Sequence, residues 1–292
     1  MRVAIIGLGL IGGSLGLALK KAEASHPEPP AKKLEITGYV RRPEAASLAM
    51  SLGVVDRVET SLDAAVKGAG MVVIATPVLT IKEIMSRIAD SLSPGCIVTD
   101  AASTKAQVMK WAEELLPRTV DFIGGHPMAG KETYGMKAAD ADLFHGCVYC
   151  LTLPDRVSQE AVDKLVDMVN RIGATPFFIG AEEHDKLTAG ISHLPFIISA
   201  ALVSSTAREP SWDRMSLLAA SGYRDLTRLA SGNPEVNAHI CQTNREAILR
   251  WIDRFIEELE RYRKLMSSGG KRLEGALAEA NRLRQEWLSK AK

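Results

Sequence analysis

Arg2-Val-Ala-Ile-Ile-Gly7-Leu-Gly9-Leu-Ile-Gly12-Gly13-Ser-Leu-Gly16 decides the fold of this chain. A short apolar run, residues 3–6, stops at glycines, and Leu15, Ala18 and Leu19 then recur at helical spacing. This is strand, tight turn, helix, with G-x-G-x-x-G at the turn. The first glycine makes the turn, the second clears space for a ligand, and the third lets helix pack on strand. The helix N-terminus points its free N–H groups at a pyrophosphate. The motif alone is weak evidence, because glycine turns occur without ligands. Its strand-before, helix-after setting predicts a dinucleotide site at Gly7, Gly9, Leu10, Ile11 and Gly12.

Outward from the turn, residues 22–33 form a polar loop with His26-Pro-Glu-Pro-Pro, where His26 reads as solvated. The second strand, 34–40, ends at Val40, where an NAD site would carry an acid for the ribose 2′-OH. Arg41-Arg42-Pro43 follows instead. Two readings stay open: solvated loop arginines, or a guanidinium clamp on a 2′-phosphate that selects NADP over NAD.

Apolar runs at 71–75, 96–99, 120–123, 147–153 and 175–179 alternate with helical patterns at 45–53, 81–92, 106–115 and 158–172. That alternation predicts a Rossmann-type α/β domain, doubly wound on a mostly parallel sheet. Ligands sit at the C-terminal strand ends of such sheets, so Thr76 and Pro77 fall beside the nicotinamide half. Beyond Gly180 strand signals vanish. Helical periodicity covers 182–208 with Pro195 inside it, 211–229, 234–266 and 273–288. The expected division is a dinucleotide-binding domain, 1–180, and an all-α substrate and dimerisation domain, 181–292. The stripe Ile248, Ile252, Phe255, Ile256, Leu259 needs a partner, which a second copy would supply as a homodimer.

The 292 residues carry 36 Lys and Arg against 35 Asp and Glu, with no block of like charge. Neither nucleic acid nor a membrane surface is an expected partner. No apolar run is read as approaching a membrane span. The N-terminal Arg and apolar stretch imitate a leader, but the glycines argue against one. Cys147 and Cys150 form a C-x-x-C inside a strand-like run with no second pair for zinc, so buried free thiols, no metal and a cytoplasmic chain are expected.

A nicotinamide enzyme needs a group to deprotonate a hydroxyl and charge to hold an anionic substrate. Ser103 and His126 both follow strand C-termini and should face the cleft. His126 lies in Gly124-Gly-His-Pro127, among turn residues, and reads as catalytic. Ser103 either joins it or caps the following helix. His193, in Ser192-His-Leu-Pro195, is either a satisfied core histidine or a site residue. Arg228, at the end of Gly222-Tyr-Arg-Asp-Leu-Thr-Arg228, is either an ion-pair member or a carboxylate clamp. His184 reads as a helix-start residue, and His145 and His239 have no constellation around them.

Together these pieces resemble the prephenate/arogenate dehydrogenase family. The matching segments are Gly7-x-Gly9-x-x-Gly12, Asp100-Ala-Ala-Ser103-Thr-Lys105, Gly125-His-Pro-Met-Ala-Gly130, His184-Asp185, Ser192-His-Leu-Pro195 and Gly222 to Arg228, in family order. The resemblance implies oxidative decarboxylation of a cyclohexadienol acid, prephenate or arogenate, giving 4-hydroxyphenylpyruvate or tyrosine. Hydride would pass from C4 to NADP, with NAD possible. It implies that His126 hydrogen-bonds the C4 hydroxyl, that Ser103 orients both, and that Arg228 binds substrate carboxylate. His193 and Gly222 would line the pocket, and Glu132 would pair with Arg228 at its mouth. Phe196 stands where some relatives have a second histidine, and residues 233–237 where some have a Trp, so the side-chain preference stays open. Many relatives add a C-terminal regulatory domain; with the sequence ending after the helices, feedback control is expected to act through the active site. The alternatives are a 3-hydroxyacid dehydrogenase or imine reductase, with Lys186 as its lysine, and a non-catalytic NADP-binding sensor.

Overall fold

The computed structural model describes residues 1–25, 33–268 and 270–290; the expected loop around His26 lies outside them for the most part. The strands and helices alternate as β1 (Arg2–Ile6), α1 (Leu10–Ser25), β2 (Glu35–Tyr39), α2 (Glu44–Ser51), β3 (Arg57–Glu59), α3 (Leu62–Val66), β4 (Met71–Ile74), α4 (Val78–Ile88), β5 (Ile97–Asp100), α5 (Ala106–Leu115) and β6 (Asp121–Pro127). Then come β7 (Val148–Thr152), α6 (Gln159–Arg171) and β8 (Thr175–Phe178). All eight strands join one sheet in the order β3-β2-β1-β4-β5-β6-β7-β8. Every pairing is parallel except β6 with β7. The doubly wound, mostly parallel Rossmann-type sheet is therefore present.

The period-2 alternation of side chains explains the double-sided core. Val3 and Ile5 of β1 and Met71 and Val73 of β4 enter one apolar cluster, with Leu15 and Leu19 of α1. Ala4, Ile6, Val72 and Ile74 enter the other, with Ile81 and Met85 of α4. Strands buried on both faces read as continuous apolar runs, which is why they were legible.

The helical segments are α7 (Ala181–Thr188), a π-helical turn (Ala189–His193), α8 (Leu194–Thr206), α9 (Trp212–Leu217), α10 (Ser221–Thr227), a 3-10 turn (Arg228–Ser231) and α11 (Pro234–Thr243). Pro195 falls in the first turn of α8, just after the wider π turn, so no ordinary helical hydrogen bond is lost to it. By length and composition alone, the helix 181–206 could cross a bilayer, an 18-residue window within it reaching mean hydropathy 1.6, contrary to the sequence reading. Here the stretch carries buried His184, Asp185 and His193, each hydrogen-bonded within the protein.

Residues 1–245 form one compact unit and residues 246–292 a second. Gly180 lies inside the first, since α7 contacts α5 and α11 contacts α4. The expected helix 234–266 is interrupted: Asn244 leaves helical geometry at φ −126°, ψ 32° and turns its side chain inward. The second unit is a helical pair, α12 (Arg245–Ser268) and α13 (Lys271–Lys290), in which the Tyr262 hydroxyl donates to the Ala276 carbonyl at 3.4 Å.

Candidate active site

The glycine turn fits a dinucleotide. Gly7 has φ +99°, and a Cβ there would meet the Ala75 carbonyl at 2.6 Å. A Cβ on Gly12 would stand 2.0 Å from the Gly7 carbonyl oxygen. Gly9 has nothing within 4 Å of the same position, so its bare backbone faces open space. Leu10 and Ile11 open α1, whose first turn holds no acidic residue to repel phosphate. Thr76 and Pro77 follow β4 next to this turn. The Thr76 hydroxyl accepts from Thr80 at 2.8 Å, and Pro77 precedes the first turn of α4. Arg41 and Arg42 are both exposed just beyond β2, where buried Val40 takes the place of an acid.

His126 is not in a loop, as its glycines suggested. It lies within β6, paired with Cys150 of β7, and is 7 % exposed. The glycines serve packing: a Cβ on Gly125 would stand 2.4 Å from the Asp100 carbonyl. Asp100 holds this strand end through both oxygens, accepting from Gly125 N at 3.1 Å and Ala102 N at 2.9 Å. Fully buried Lys105 forms an ion pair with Asp100 and donates to the Gly125 carbonyl at 2.7 Å. A buried pair survives when its remaining hydrogen-bonding capacity is met, as here.

His126 Nδ1 lies 2.8 Å from Nε2 of fully buried His184, and His184 Nδ1 lies 2.8 Å from Asp185 Oδ1. His184 does stand at the start of α7, as expected, and it is also an interior neighbour of His126. Asp185 also accepts from Lys105 N at 2.7 Å and Ala106 N at 3.0 Å, satisfying the first N–H groups of α5. Capping that helix is thus not the role of Ser103, which is half-buried. Asn244 Nδ2 donates to the Asp185 carbonyl at 2.7 Å and lies 3.2 Å from His193 Nδ1. His193 is 1 % exposed, its Nε2 has no hydrogen-bond partner, and Phe196 lies 6.2 Å away ring to ring. It is buried without being satisfied.

Burial holds His126 well below the ordinary histidine range, with His184, Lys105 and His193 adding repulsion. Burial likewise pulls His193 down to about 4. Both rings are neutral at pH 7. Arg228 pairs with Glu132 rather than with Asp225, both partners being partly exposed. Gly222 is exposed in the first turn of α10, and a Cβ there would meet nothing within 4 Å. The structure thus joins His126 to His184 and Arg228 to Glu132. It sets Ser103 and His193 near one another. Sequence reasoning gave no role in the site to Asp100, Lys105, His184, Asp185 or Asn244. The signal for the first four lay in the matched segments themselves, where charged residues sit beside the candidate catalytic ones.

Residues 29–177 match the family described as prephenate dehydrogenase, nucleotide-binding domain, and residues 180–279 match prephenate dehydrogenase, dimerization domain. A prephenate dehydrogenase of Bacillus subtilis is 37 % identical over 89 % of this chain and 69 % of its own length. This chain belongs to the prephenate dehydrogenase family. Its activity class is that of a prephenate or arogenate dehydrogenase, an oxidoreductase that binds a nicotinamide dinucleotide. Among solved structures, prephenate dehydrogenase from A. aeolicus, in complex with hydroxyphenyl propionate and NAD+, aligns with TM-score 0.87 at 27 % identity over 98 % of both chains. Synechocystis arogenate dehydrogenase aligns with TM-score 0.78 at 30 % identity, over 98 % of this chain and 100 % of that one. The hydroxyacid dehydrogenase, imine reductase and sensor alternatives fall away.

Proposed function

We propose that this protein oxidatively decarboxylates prephenate or arogenate, with His126 taking the proton of the C4 hydroxyl. The arrangement of His126 carries this reading: a buried, neutral imidazole at the end of a strand, tied through Nδ1 to His184, with Nε2 left for substrate. A neutral base loses no time to deprotonation at pH 7. A dinucleotide held by its pyrophosphate at the glycine turn would supply, in its nicotinamide, the acceptor for the hydride that leaves C4. Loss of CO2 aromatises the ring, so the protein chiefly positions and polarises.

Arg228, always charged and able to bond bidentately, takes a substrate carboxylate, with Glu132 holding it ready at the pocket mouth. Ser103 orients the hydroxyl, and His193 and Gly222 line the pocket. Gly7, Gly9, Leu10, Ile11, Gly12, Thr76 and Pro77 hold the dinucleotide. Exposed Arg41 and Arg42, with no acid at Val40, favour NADP over NAD. We keep 1–180 and 181–292 as the functional division. A homodimer of the cytoplasm is proposed, joined through the helices, in support of which Leu217 and Leu218 are more than 80 % exposed.

Replacing His126 by Asn tests the assignment. Turnover should fall about 10²–10⁴-fold while the dinucleotide Kd holds. Equal losses in both would show that His126 is structural.

A further inference from the structure

We infer that His184 and Asp185 are positioning residues, a hydrogen-bonded series that fixes which nitrogen of His126 carries its proton. The inference rests on the reading of His126 as the base. The series runs from Asp185 Oδ1 to His184 Nδ1 at 2.8 Å, then from His184 Nε2 to His126 Nδ1 at 2.8 Å. The two rings meet edge to face at 71°.

The direction of the protons follows from the inventory of donors and acceptors. An ionised carboxylate only accepts, and Asp185 is held in place as an acceptor by Lys105 N and Ala106 N. His184 must therefore present N–H from Nδ1. With its proton on Nδ1, His184 then offers a lone pair at Nε2. His126 in turn must present N–H from Nδ1, which leaves its Nε2 as a lone pair. That is the tautomer a base needs. Without the carboxylate, His184 is free to place its proton on Nε2 and drive the proton of His126 onto the nitrogen that faces substrate. The same logic makes the buried Asp of a serine-protease triad a tautomer-setting group.

The series also bears on the charge formed in the reaction. Once His126 gains the hydroxyl proton, its Nδ1–H faces the His184 lone pair, with the Asp185 charge one ring further on. Opposing it are Lys105, itself paired with Asp100, and His193. On the other strand Cys150 stands opposite His126. Asp185 and His184 come from α7 while His126 comes from β6, so docking of 181–193 against α5 completes the base.

Three variants and one spectrum test this. Asp185→Asn removes the obligate acceptor, His184→Leu breaks the series, and His184→Gln keeps an acceptor for His126 Nδ1. Asp185→Asn and His184→Leu should lower kcat about 10–10³-fold, and Asp185→Asn should move the acid limb of kcat/KM to lower pH, while substrate KM and dinucleotide Kd change less than about twofold. His184→Gln should recover part of kcat. Folded variants with unchanged kcat and acid limb would overturn the inference. Because Asp185 also satisfies the start of α5, its variant is at risk of misfolding. The ¹⁵N spectrum of wild-type histidines then decides without it: His126, assigned by its loss in His126→Asn, should carry its proton on Nδ1. A proton on Nε2 would overturn the inference. Full turnover in His126→Asn would instead sink the reading of His126 as base.

Discussion

His184 Nε2 stands 2.8 Å from His126 Nδ1 in an interior where both rings are almost wholly buried. Burial, with the neighbouring imidazole adding repulsion, holds His126 well below the ordinary histidine range. Stability inherits this. His193, pulled from 6.5 to about 4, binds a proton in the unfolded chain before it does so in the folded one. The unfolded state is therefore favoured as pH falls from 6.5 toward 4, and stability is fullest above 6.5. The loss from His193 alone is about 3 kcal/mol at pH 4, and His126 acts with the same sign. Denaturant titrations at pH 7.5 and 5 should show it. Equal midpoints would contradict neutral burial.

The glycine turn separates a folding role from a ligand role. Gly12→Ala drives a Cβ into the Gly7 carbonyl and should destabilise by on the order of 1–3 kcal/mol. Gly9→Ala meets nothing and should leave Tm unchanged while weakening dinucleotide binding about tenfold, a loss of 1.4 kcal/mol. Calorimetry and a fluorescence titration distinguish them. A Tm loss in Gly9→Ala would show that this backbone is packed rather than open.

Arg228→Lys keeps a charge but loses the planar fork. Substrate KM should rise about tenfold or more, with dinucleotide Kd unmoved. If lysine substitutes without loss, the arginine is only the partner of Glu132.

Lys105→Met leaves Asp100 buried and uncompensated. The expected cost is about 3–5 kcal/mol, or roughly 10 °C in Tm. Thermal unfolding that matches the unmodified protein would mean that water reaches Asp100.

Much of this was legible because burial on both sheet faces writes itself as apolar runs, and because the glycine turn has one use in that setting. What sequence hid were relations between distant segments. His184 and Asp185 lie 58 and 80 residues from the groups they touch. No local pattern distinguishes a histidine that opens a helix from one that faces another histidine. His126 looked like a loop residue because glycine signals turns, whereas here Gly125 allows Asp100 to approach. Asn244 sits in an unbroken helical pattern, and only its inward bonds to Asp185 and near His193 explain the break.

The proposed preference for NADP assigns the 2′-phosphate to Arg41. Arg41→Ala should weaken NADP+ much more than NAD+. Equal losses would show a merely solvated side chain.

The most direct measurement is a two-by-two assay of the purified protein, prephenate or arogenate with NADP+ or NAD+, followed by absorbance of the reduced nicotinamide and by released CO2. The expected result is matched formation of both products with at least one substrate, faster with NADP+. No turnover in any of the four combinations would contradict the assignment.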